Sequence, residues 1–340
     1  MTGDADSTAG PAVDNGAEPP LGRGFGHGKV ILVGEHAVVH GHAALAAGIS
    51  TGIAVEARAG RTSGESRLHV PAWSLEAGTG DGTPVGRALE AIVRRMEAPG
   101  LDFLADARIP SRAGLGSSAA LSVAIARAAA AAVGRAEATD AIDAAVMAAE
   151  EVFHGSPSGI DAAAAKSGVT GRFTRATGWQ PVPVLQKITI CVGLSGRPRD
   201  TAAQVAAVGR LRARMPVAGE VLGLLGRLAD DAGVALAKGD VDGLGRIMDA
   251  AHGLLAALRL SSPELETLVH SARAAGAVGA KLTGAGGGGA VIALAPGHTR
   301  DVLARWRAAG YEGFLADIVA APAGVPSPGV SSAFAGGAPR

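Results

Sequence analysis

The chain has 340 residues, 48% of them hydrophobic and 18% charged, which is enough apolar material for a sizeable core and two domains and excludes a largely disordered protein. Its 31 basic and 31 acidic side chains cancel, so no global basic field exists to draw in nucleic acid or an anionic membrane. The single cysteine, Cys191, excludes an intrachain disulfide and a cysteine zinc cluster.

The opening residues MTGDADSTAG have no basic start and no apolar run, so no signal peptide is expected; with a reducing compartment suiting the lone cysteine, the expected location is the cytoplasm. Residues 1–20 and 322–340 lack apolar periodicity and read as disordered tails. KVILV, opening at Lys29, reads as a buried strand. GIAVEAR (52–58) alternates as a second strand and SRLHV (66–70) is a third candidate. VGRALEAIVRRM (85–96) has helical spacing at Leu89, Ile92, Val93 and Met96, and LDFLADARIP (101–110) reads as a strand leading into a loop. AGLGSSAALSVAIARAAAAAV is a glycine turn feeding a long helix, alanine-rich, interrupted by Arg127 and poor as a membrane span. A helix follows at about 139–153, then the strand-like FTRATGWQPVPV and KITICVGL, the latter holding Cys191 as a small core residue. Beyond Thr201 helices dominate to about 275, with Ser262 as an N-cap, and the strands GAVIALA and FLADIVA close the fold. The gap in strand propensity between about 195 and 289 marks a second domain, so the boundary is placed between a 21–185 unit and a 186–321 unit.

The strongest chemical signal is PSRAGLGSSAALSVAIARA (110–128). Gly114 and Gly116 give a turn closed to other residues, and the helix that follows offers unpaired N–H groups and the positive end of its dipole, an arrangement suited to phosphate. The serine hydroxyls can bind phosphate oxygens or Mg²⁺, although plain helix caps explain them equally well on local residues alone. No Walker A loop occurs, and the one GxGxxG, at Gly284, Gly286 and Gly289, precedes a strand instead of following one, the wrong order for a dinucleotide site. No HExxH or similar spacing supports zinc. Lysine is scarce, five against 26 arginines, and this singles out Lys29 and Lys281 as positions where a lysine is kept for its chemistry. Helical geometry puts Glu150 at the flank of an apolar face formed by Ile142, Val146, Ala149 and Phe153, while Glu151 points away.

GKVILVGEHAVVHG (28–41), the GLGSSAA loop and KLTGAGGGGAVIAL (281–294), in that order, resemble the three motifs of the GHMP kinase superfamily. EEVFHGSPSGIDAAAAKSG (150–168) and SGRPRDTAAQV (195–205) are similar to segments of its mevalonate kinase family. The resemblance implies an α/β, two-domain fold with a ribosomal-protein-S5-like N-terminal domain and a ferredoxin-like C-terminal domain. It implies ATP held on Gly114, Leu115, Gly116, Ser117, Ser118 and Ala119, with Mg²⁺ on Ser118 and Glu150. It assigns catalysis to Asp161, accepting or orienting a substrate hydroxyl proton, and to Lys29 as its partner. Glu35, His36, Thr201, Gly284 and Ala285 are the implied substrate contacts, and Lys281 and Thr283, which flank the GAGGGG loop (284–289), are expected to contact bound groups. The implied reaction is phosphorylation of mevalonate by ATP, with no nucleic acid or membrane partner; a homodimer is compatible with the resemblance. A sister kinase acting on phosphomevalonate or a sugar is disfavoured by HGSPSGID, and an inactive ligand-binding regulator by the presence of Lys29, Ser118, Glu150 and Asp161.

Overall fold

The computed structural model describes residues 19–61, 64–155 and 157–318, so the two expected tails fall almost wholly outside the described residues. In chain order the elements are β1 (Gly22–Val33), β2 (Ala44–Ala59), β3 (Arg67–Val70), β4 (Leu75–Gly78), α1 (Pro84–Met96), β5 (Leu101–Ala107), α2 (Ser117–Ala132), α3 (Thr139–His154), α4 (Ile160–Ser167), β6 (Thr170–Thr174), β7 (Gly178–Pro181) and β8 (Ile188–Leu194). There follow α5 (Thr201–Arg214), α6 (Val217–Lys238), α7 (Val241–Ala257), α8 (Pro263–Ala274), β9 (Gly279–Thr283), β10 (Ala290–Leu294), α9 (Thr299–Ala308) and β11 (Gly313–Ile318). Among the described residues no helix is long and apolar enough to cross a membrane.

The strands form one sheet in the order β4-β3-β5-β2-β11-β8-β10-β9, with β1 pairing along β2 and β6 joining the first residues of β2. This is a mixed α/β architecture in which β2 meets β11 at Ile49 and Ile318, so strands from both halves of the chain share a sheet. The far end returns to the start. Thr283 on β9 accepts from the Ile31 N–H (2.9 Å) and donates to the Ile31 carbonyl (3.0 Å) of β1, so the sheet curls until its last strand faces its first.

The glycine and alanine content has a packing reason where β1 crosses α2. A Cβ at Gly22, Gly24 or Gly26 would lie 2.2, 2.1 or 2.0 Å from the carbonyl oxygens of Ala128, Ala124 and Ala120. Two residues along a strand span about 6.6 Å and four along a helix about 6 Å, so bare positions on one match alanines on the other. This close approach brings the start of α2 against the middle of β1.

The elements read from sequence are present, with corrections. The second strand extends well beyond 52–58 at its N-terminal end, because Ala44–Ala47 pair with β6. Lys29 lies within β1, which begins at Gly22; the alternating glycines hid the earlier half. The expected gap in strands between 195 and 289 contains β9, whose GAKLT carries a lysine that the fold buries completely. Ser262 caps α8 by accepting from the Leu265 N–H, and Cys191 is a buried, free thiol whose pKa burial pushes up to about 12.

Candidate active site

The phosphate loop is built where α2 begins. Gly116 is the residue before the helix, at φ 70°, and the first helical bond runs from the Ala120 N–H to the Gly116 carbonyl (2.9 Å). The N–H groups of Ser117, Ser118 and Ala119 therefore have no helix carbonyl to donate to. The Lys29 N–H donates to the Leu115 carbonyl (2.9 Å), fixing the loop to β1. A Cβ on Gly116 would stand 2.7 Å from Lys29 Cγ, so the glycine lets the lysine stem pass under the loop.

Lys29 is nearly sealed, with 2% of its side chain exposed, and its Nζ lies 3.1 Å from Asp161 Oδ1 in the first turn of α4. Asp161 keeps 29% of its side chain open, enough for a ligand to reach it. Burial raises the Asp161 pKa, but the charge and hydrogen bond of Lys29, with Arg199 and His154, outweigh it and hold the carboxyl below its ordinary range. Asp161 is thus a carboxylate at neutral pH.

Glu150 lies on the buried side of α3 and Glu151 on the exposed side, as the helical spacing predicts. Its Oε1 is buried without a hydrogen-bond partner, while Oε2 lies 3.7 Å from His154 Nε2. Ser118 Oγ stands 3.1 Å from the same nitrogen. Burial, reinforced by the charge of Asp161, pushes the Glu150 carboxyl up to about 8. A sealed carboxyl group with an orphan oxygen beside a serine hydroxyl fits a divalent cation, whose charge would favour the ionised form that burial disfavours. Among the described residues no group of three or more His, Cys, Asp or Glu side chains could hold a metal ion. Two protein oxygens do not close the shell of a Mg²⁺, whose other positions are filled by water or phosphate oxygens.

The raised pKa has a stability consequence. The folded protein keeps a proton on Glu150 across the window from about 4.5 to about 8, where the unfolded chain has released it, so the group's contribution is lost as pH rises through that window. In nucleotide-free protein under EDTA, Glu150→Gln is expected to flatten the fall in Tm over this range and to raise Tm above it by about 2 °C or more. Scanning calorimetry at a series of pH values reads this; parallel Tm curves for the two proteins would assign the titration to another group.

Glu35 and His36 follow β1 into the turn. Glu35 is sealed and its Oε1 pairs with the equally sealed Lys281 of β9, leaving Oε2 without a partner. His36 sits at φ 60° and ψ −38°, at the centre of a tight three-residue turn closed by the Ala37 N–H on the Glu35 carbonyl (2.7 Å), a rare and strained backbone for a side-chain-bearing residue. Its Nε2 lies 2.8 Å from the Ala285 carbonyl. A carbonyl only accepts, so Nε2 carries the proton and Nδ1, buried and unpartnered, is left as an acceptor. Burial lowers the His36 pKa, and Arg199 lowers it further, against the opposing hydrogen bond to Ala285.

Lys281 and Thr283 do not reach the ligand space expected of them: both are completely buried and spent on Glu35 and on the backbone of Ile31. Thr201 is the exposed first residue of α5 and makes no hydrogen bond to Asp161. The side chain that sequence reasoning missed is Arg199, just before α5. It lies against the two glycine loops, since a Cβ on Gly284 would come within 1.9 Å of its Nη1 and one on Gly114 within 2.7 Å of its Cζ. It makes no hydrogen bond or ion pair among the described residues, yet its charge is felt by Asp161, His36 and His154. Burial lowers its pKa and the carboxylates of Asp161 and Glu35 oppose that. One arginine among 26 gives no sequence signal.

A broad concavity of about 1230 Å³ over β3, β4 and β5 contains none of these groups and mixes Arg58, Arg67, Glu76 and Asp102; volume does not locate the chemistry here.

Residues 84–169 match the family described as GHMP kinases N terminal domain and residues 234–312 match GHMP kinases C terminal. Mevalonate kinase of Aeropyrum pernix is 39% identical over 291 residues, covering 78% of this chain and 86% of the relative. The chain belongs to the mevalonate kinase family of GHMP kinases. Mevalonate kinase of Pyrococcus horikoshii is 36% identical, covering 83% of this chain and 91% of the relative. Among solved structures, L. major mevalonate kinase in complex with R-mevalonate superposes with a TM-score of 0.78 at 28% identity, covering 89% of this chain and 99% of that one. The two-domain GHMP kinase fold expected from the motifs is thus the fold of the chain, and membership in the mevalonate kinase family follows the HGSPSGID segment.

Proposed function

We propose that the chain transfers the γ-phosphoryl group of ATP to the primary 5-hydroxyl of mevalonate, giving 5-phosphomevalonate and ADP. The observation that carries the reading is the pairing of the sealed Lys29 with the partly open Asp161, Lys29 itself running under the loop whose N–H groups open α2. The hydroxyl oxygen forms a bond to the γ phosphorus, the bond from that phosphorus to the bridging oxygen of ADP breaks, and the hydroxyl proton leaves to Asp161 or to water. Asp161, held ionised, orients the hydroxyl, and Lys29 offsets negative charge on the moving group. The Ser117–Ala119 N–H groups bind phosphate oxygens. Ser118 and Glu150 would hold Mg²⁺, which neutralises phosphate charge when bound. Arg199, a cation with no ion-pair partner among the described residues and lying against the Gly114 and Gly284 loops, suits the substrate carboxylate, and the His36 Nδ1 suits a hydroxyl donor.

The experiment is ADP release with Mg-ATP across mevalonate, phosphomevalonate, galactose and homoserine. Turnover with mevalonate alone is the expected result. Turnover with another of the four would keep the kinase chemistry and refute the substrate; silence on all four would refute the reading.

A further inference from the structure

One side chain touches both groups assigned to the cation and has no part in the reading above. His154 ends α3, one turn beyond Glu150, and its Nε2 lies 3.1 Å from Ser118 Oγ and 3.7 Å from Glu150 Oε2. The helix stops there at Gly155, with φ 67°, so the ring is carried on the last helical residue and not on a free loop.

A serine hydroxyl that gives a lone pair to a cation must still place its proton on an acceptor. Two acceptors stand near Ser118: the Glu150 carboxylate and His154 Nε2. Once Glu150 turns its oxygens to the same cation, a proton aimed at that carboxylate would sit beside the positive ion. The imidazole nitrogen is then the acceptor that leaves the Ser118 lone pairs facing the ion.

We propose that His154 is a positioning residue for the nucleotide-bound cation, accepting the Ser118 hydroxyl proton at Nε2 and so aiming the Ser118 oxygen at the ion it shares with Glu150. The proposal rests on the reading of Ser118 and Glu150 as cation ligands. The His154 side chain is 44% exposed, so replacing it does not open the core.

The test measures Mn²⁺ held on the protein in the presence of ADP, by water proton relaxation enhancement, without turnover. His154→Leu keeps bulk and removes the acceptor, and is expected to weaken Mn²⁺ binding about 10-fold, the size typical of a lost outer-shell partner. His154→Gln, whose amide oxygen can accept, is expected to restore part of that loss. In a Ser118→Ala background His154→Leu is expected to add nothing, because no hydroxyl remains to orient. Wild-type Mn²⁺ affinity in His154→Leu overturns the proposal, and so does a loss that persists in full without the Ser118 hydroxyl. Absence of any ADP-dependent Mn²⁺ site in the unsubstituted protein is a separate result: it refutes the cation reading of Ser118 and Glu150 and this proposal with it.

Discussion

Asp161→Asn is expected to lower kcat about 10³-fold, within the range for a lost proton-handling side chain, while the Kd for ATP changes by less than about threefold. The asparagine keeps the shape and one accepting oxygen but loses the charge. Two things fail together: the hydroxyl loses the anionic acceptor that aligns it, and Lys29, buried 3.1 Å away, loses its counter-ion. Because the two residues act as a unit, Lys29→Met combined with Asp161→Asn is expected to be little worse than the slower single variant. Steady-state kinetics with calorimetric ATP binding reads both quantities. Near-normal turnover in Asp161→Asn would remove Asp161 from the chemistry. The depressed pKa of Asp161 carries a further consequence: the residue is already ionised well below neutrality, so it contributes no acid limb to kcat near pH 7.

Much of this pair was legible before any coordinates. The resemblance supplied Asp161, while scarcity pointed to Lys29 and helical spacing turned Glu150 inward and Glu151 outward. The last of these is a local inference, and local periodicity carries it. What was not legible depends on contacts between distant segments. Arg199 matters because two glycine loops far apart in the chain, at Gly114 and Gly284, close around it. Lys281 and Thr283 were expected at the ligand because they flank the GAGGGG loop, but the curl of the sheet brings β9 against β1 and turns them into the core. No window of sequence contains that curl. The same contact explains why β9 escaped notice: a lysine in a fully buried strand is tolerated only because Glu35 is waiting for it.

That dependence makes Lys281 the position of largest expected effect on stability. Burial alone lowers the Lys281 pKa, Glu35 counters by charge and hydrogen bond, and Lys29 adds a smaller repulsion. The ammonium also donates to the Leu282 carbonyl at 2.6 Å, so its protons are used inside the fold. Lys281→Met leaves the Glu35 carboxylate sealed without a cation and is expected to cost about 3–5 kcal/mol, read as a lower urea midpoint at unchanged slope. The double change Glu35→Leu with Lys281→Met removes both charges, and is expected to recover most of the loss, because an apolar pair avoids the desolvation that the ion pair only offsets. If the double variant stays as unstable as the single one, the carboxylate is not the cause and lost packing is. The recovered protein also separates two roles of Glu35. Its free Oε2 and its effect on Arg199 put it at the edge of the site, so the double variant should fold yet bind mevalonate more weakly, while a retained KM would leave Glu35 with the structural role alone.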